Sequence, residues 1–128
     1  MTKTQTISTE GQKSKQKQYD LEDRTLQFAK QVFVFVNKLP KTLTTIEISK
    51  QVVRSAGSVG ANYIEANEAV SRKEFVLRIK ICRKEAKETR YWLMLLECSE
   101  ELQSAKEKLI QESTELMKIF GAILKKCE

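Results

Sequence analysis

The sequence predicts an all-α protein, an up-and-down antiparallel four-helix bundle, and two observations predict it. The first is a scarcity of chain breakers, with four glycines and one proline in 128 residues. A sheet protein of this size needs many turns and uses more of both. The second is a 4-3 alternation of core positions that recurs in four separate segments, as expected of helices packed at shallow angles in coiled-coil fashion. This length suits one domain around one core.

The first helix is predicted over about residues 20–38, with Leu21, Thr25, Phe28, Val32, Phe35 and Leu39 as its seam. It ends at Leu39-Pro40, because the residue before a proline avoids the helical region. The second, over about 45–67, opens at Thr44-x-x-Glu47, a capping box, and uses Ile48, Val52, Ser55, Val59, Asn62 and Ala66. The third, over about 72–98, opens at a second capping box, Ser71-x-x-Glu74. Its seam is Phe75, Ile79, Cys82, Ala86, Thr89, Leu93 and Leu96. The fourth, over about 104–126, opens at Ser104-x-x-Glu107 and uses Leu109, Ser113, Leu116, Phe120, Ile123 and Cys127. Short connections force such neighbours to run antiparallel.

Residues 1–18 read as a disordered basic tail. Lys3, Lys13, Lys15 and Lys17 stand against Glu10, so half of the net charge of +6 falls there, and Ile7 is the one large apolar side chain beyond Met1. Too little apolar surface is available to fold it. It is either a solvated leader or a basic arm for phosphate backbones.

No apolar run approaches the roughly 18 residues that span a bilayer, and the N-terminus lacks the apolar core of a secretory signal, so a cytoplasmic location is expected. Cys82, Cys98 and Cys127 are far apart, and there is no histidine, which argues against zinc and for reduced thiols. No phosphate-cradling GxxxxGK loop or GxGxxG turn is present. Without histidine, the commonest general base, Cys–His catalysis and the Glu-x-x-His metal sites of bundles are all lost. No catalytic residue, cofactor or metal is expected, which leaves a binder or a scaffold.

Two helices carry information beyond their seams. The second has a run of small residues, Ser55-Ala56-Gly57-Ser58 and then Gly60-Ala61. A mid-helix glycine costs about 1 kcal/mol relative to alanine, so close approach of another helix is expected, within the bundle or from a second subunit. Arg54, Ser58, Asn62 and Glu65 form a polar row beside it, read as a structural network in which Arg54 pairs with a carboxylate, or else as a solvated face.

The third helix is polarised around its axis. Arg72, Lys73, Lys80, Arg83, Lys84, Lys87 and Arg90 share one flank, Glu74, Glu85 and Glu88 the other, and Arg78 intrudes on the acidic side. Residues 72–90 hold eight basic and three acidic side chains, a net of +5. Residues 97–115 hold two basic and six acidic ones, a net of −4. Such a stripe can neutralise nucleic-acid phosphates, meet the acidic surface of a second subunit, or simply be solvated. Tyr91 lies within the basic arc, where it could stack a base, and Trp92 lies toward the acidic flank.

Three stretches resemble a known family: Arg54-Ser55-Ala56-Gly57-Ser58-Val59-Gly60-Ala61-Asn62-Tyr63-Ile64-Glu65-Ala66, then Ser71-Arg72-Lys73-Glu74-Phe75, then Lys84-Glu85-Ala86-Lys87-Glu88-Thr89-Arg90-Tyr91-Trp92-Leu93. The combination RSxxSxxANxxEA with EAxETxYWL resembles the bacterial "four helix bundle protein" family. That family includes the proteins encoded in intervening sequences of 23S ribosomal RNA genes. A related group is the accessory variability determinants (Avd) of diversity-generating retroelements. The resemblance spans roughly residues 20–126. It implies a bundle that assembles into a ring, typically a homopentamer. By likeness to the Avd group, it also implies binding to nucleic acid and to a reverse transcriptase through a positively charged surface. Carried over, Arg54, Ser58, Asn62, Glu65, Glu85, Glu88 and Trp92 are expected to form an intersubunit or inter-helix polar network. Lys73, Lys80, Arg83, Lys84, Lys87 and Arg90 are the expected nucleic-acid surface.

Two functions follow as expectations. One is a non-enzymatic, oligomeric accessory protein that binds RNA or DNA. The other is a structural or protein-docking homo-oligomer whose basic stripe is used in its own ring.

Overall fold

A computed structural model describes the backbone of residues 10–128 and the side chains of residues 21–128. It contains four helices, α1 (Glu10–Asn37), α2 (Leu43–Asn67), α3 (Arg72–Leu95) and α4 (Glu100–Lys126). Connections over residues 38–42, 68–71 and 96–99 turn each helix back on the last. Around the square, α2 packs on α1 and α3, and α4 packs on α3 and α1, with the α1–α4 edge the thinnest.

The 4-3 seams become the core. Phe28, Val32, Val52, Val59, Ile79, Leu93, Leu116 and Phe120 are all buried, and the seam of the first helix is buried from Leu21 to Leu39. Tyr63 and Ala56 add to it from α2, with the Tyr63 and Phe120 rings 6.1 Å apart across the bundle. Polar seam positions are satisfied within the core. Thr25 Oγ1 donates to the Leu21 carbonyl (2.9 Å), and Thr89 Oγ1 lies 2.8 Å from Ser55 Oγ, joining α3 to α2. On the thin edge, Arg24 grips Glu112 through two bonds of 2.6 and 2.8 Å.

Helix boundaries differ from expectation at three places. First, α1 begins at Glu10 rather than near residue 20, so it takes in residues 10–18 of the segment expected to be tail. The lysines and glutamines there are good helix formers, and only Gly11 opposes them. Residues 1–9, and the side chains of Lys13, Lys15 and Lys17, lie outside the described residues.

Second, α2 is capped not by Thr44 but by Thr42, whose hydroxyl accepts from the Thr45 amide (3.2 Å), while Glu47 reaches Lys50 (3.4 Å). The turn after Pro40, closed by the Thr42 amide on the Pro40 carbonyl (3.1 Å), presents Thr42 first. Third, α3 stops at Leu95 and α4 starts at Glu100 after Ser99, not at Ser104. Leu96 turns extended so that its side chain stays buried, and Lys106 donates to its carbonyl. Glu100 and Glu101 then sit in the first turn of α4, where carboxylates favour the positive end of the helix dipole. At α3 the cap is Ser71, accepting from the Glu74 amide at 3.0 Å.

Candidate nucleic-acid interface

The outward ridge of α3 follows from its spacing. At about 100° per residue, Lys73, Lys80, Lys84, Lys87 and Tyr91 fall within about 60° of one another, opposite the buried Cys82, Ala86 and Leu93. All four lysines are exposed, and Arg83 is exposed beside them. No described residue pairs with any of these five cations. Lys80 with Lys84, Lys84 with Lys87, and Arg83 with Lys87 stand three or four residues apart, where like charges destabilise a helix by a few tenths of a kcal/mol each. The ridge therefore gains from an external counter-charge.

The other expected members of the surface are placed differently. Arg90 is half-buried, its Nε enclosed without a hydrogen-bond partner. Arg72, at the start of α3, donates to the Cys127 carbonyl at the adjoining C-terminal end of α4.

On the flank of α3 that faces α2, the polar residues split into separate groups. Asn62 Nδ2 donates to the Ser58 carbonyl and hydroxyl (2.9 and 3.0 Å), and its Oδ1 accepts from Arg78 Nη1 (3.0 Å). Arg54 Nη2 is 3.4 Å from Glu88 Oε1, largely in solvent. Glu65 is exposed and has no partner among the described residues. Glu85 is buried with its Oε1 unpaired, and the indole nitrogen of Trp92 is likewise enclosed without a partner. Arg78, Glu85 and Trp92 are spaced by seven, so these groups form one line along α3.

Arg78 is the residue that sequence reasoning left out of the network. The signal lay in its position on the acidic flank, seven residues before Glu85.

The two mid-helix glycines separate in the same way. A Cβ on Gly60 would stand 2.9 Å from Thr25 Oγ1, so this glycine lets α1 approach α2. A Cβ on Gly57 would meet nothing within 4 Å. Among the described residues no group of His, Cys, Asp and Glu is placed to hold a metal ion. No described helix is long and apolar enough to cross a membrane.

The family model for the 23S rRNA-intervening sequence protein matches residues 17–122, which include α2 and α3 and most of α1 and α4. This chain belongs to that family. A crystal structure similar to this 23S rRNA-intervening sequence family member is that of a protein of unknown function from Bacteroides thetaiotaomicron, described as belonging to the S23 ribosomal protein family. The two share 36% identity with a TM-score of 0.75, over 85% of this chain and 98% of that one. No curated protein matches the chain.

Proposed function

We propose that the chain is a non-enzymatic, homo-oligomeric accessory protein that holds RNA or DNA by its phosphate backbone. The observation that carries this reading is the row of unpaired cations on α3, Lys73, Lys80, Arg83, Lys84 and Lys87. The arginines at positions 24, 54, 72 and 78 are, by contrast, bonded within the chain. Polyanion binding by such a row releases counterions, so affinity should fall steeply with salt.

The homo-oligomer in this reading, a ring of five, rests on the family resemblance, and the reading leaves the lysine ridge outside its interface.

The test is an RNA titration with light scattering on the same samples, comparing wild type with the triple variant K80E/K84E/K87E. The expected result is salt-dependent binding by wild type, loss of binding in the variant, and an oligomer unchanged by it. Undiminished binding by the variant removes the ridge as the site. Dissociation of the oligomer, with no nucleic-acid binding by wild type, supports instead a structural ring that consumes its own basic stripe.

A further inference from the structure

The lysine ridge ends on an exposed aromatic ring, a face that can stack an unpaired base and has nothing to stack on in a duplex. Tyr91 is 56% exposed, one turn before α3 ends at Leu95. It sits on the same line as Lys73, Lys80, Lys84 and Lys87. Its ring is braced edge-on by Trp92, with centroids 5.2 Å apart and an interplanar angle of 66°. A braced ring loses little freedom when a flat partner is laid on it. Along the axis, Lys87 is one turn before Tyr91 and Lys84 two turns before, about 6 Å and 10 Å away. That spacing sets two cationic side chains on the same helix face as the ring. Met94 and Leu95, 55% and 44% exposed, continue the apolar surface beyond the ring.

We propose that Tyr91, with Lys84 and Lys87, forms a stacking platform for an unpaired base, which makes single-stranded nucleic acid the ligand class of the ridge. This rests on the nucleic-acid reading above. A duplex keeps its bases stacked inside and offers the ridge only phosphates. A single strand offers both phosphates and ring faces, and stacking tolerates any base because each has a π-face.

The experiment compares short oligo(U), oligo(dT) and an RNA duplex of the same length in anisotropy titrations, with wild type, Y91A and Y91W. Y91A is expected to weaken both single strands on the order of tenfold and to leave duplex binding unchanged. Y91W is expected to restore single-strand binding. Trp92, the only tryptophan, is an internal reporter in wild type and Y91A. Its fluorescence should change on adding either single strand to wild type, and not on adding duplex. Equal loss on single strand and duplex, no loss on either, or dissociation of the Y91A oligomer in light scattering overturns the platform. If wild type binds the duplex but Tyr91 is irrelevant to single strands, the platform fails and the phosphate reading survives. If wild type binds none of the three, both fail.

Discussion

Thr25 Oγ1 stands 2.9 Å from the point where a Cβ on Gly60 would be built, and the Thr25 Cβ itself would be 3.2 Å away. Thr25 is fully buried and its hydroxyl is tied to the backbone of its own helix, so it has nowhere to move. Gly60→Ala should therefore destabilise the protein by about 1–2 kcal/mol, overpacking outweighing the better helix propensity of alanine. Gly57→Ala, with open space around it, should stabilise by up to about 1 kcal/mol. Urea denaturation of both variants checks the pair. A stabilising Gly60→Ala would show that α1 can yield.

Asn62 and Glu65 share a polar row in sequence but not a role in structure. Asn62→Ala removes the acceptor of Arg78 and the donor to Ser58 together, and should cost roughly 1–3 kcal/mol because the arginine stays half-buried without its partner. Glu65→Ala should change stability by no more than about 0.5 kcal/mol, since the side chain is exposed and unbonded. Chemical denaturation measures both, and similar losses in the two would contradict the split.

Cys82 is fully buried with its Sγ donating to the Val59 carbonyl at 3.4 Å, and burial pushes its pKa up to about 12. Cys98 and Cys127 are only half-buried. Native protein at pH 8 should thus react with a thiol reagent at Cys98 and Cys127, and at Cys82 only after unfolding. Mass spectrometry of the labelled protein reads this directly.

The same burial sets a pH dependence. A thiol whose folded pKa is raised favours the protonated state in the fold, so its contribution is complete below the unfolded value of about 8.5. It is lost as pH climbs toward 12. Tyr63, raised mainly by desolvation, acts in the same direction. Stability should decline above about pH 9, and Cys82→Ala should flatten the lower part of that decline.

The bundle was legible in the sequence because packing obeys a period, and a seam such as Leu21 to Leu39 needs nothing else to be recognised. Ile48, Phe75, Ile123 and Cys127 belong to the seams yet are only half-buried. They lie toward helix ends, where fewer neighbours cover them. Cap positions were less legible because several hydroxyls compete. Thr42, Thr44 and Thr45 can each cap a helix, and the choice falls to the turn made after Pro40. For the candidate surface, spacing placed the lysines of α3 on one line, but spacing alone could not show that Arg90 is half-enclosed or that Arg72 serves the end of α4. Those depend on where α4 lies.

One division of labour between the two cationic side chains has a mechanical consequence. Arginine, with its planar fork, fixes geometry, and here Arg24, Arg54, Arg72 and Arg78 are spent on the protein's own framework. The line along α3 is left mainly to lysine, a point charge on a flexible stem that imposes no register on what it meets. If the ridge holds a strand as proposed, the ammonium groups retain it without locking its register, and the stacked base on Tyr91 is the one contact that must be released for it to slip lengthwise.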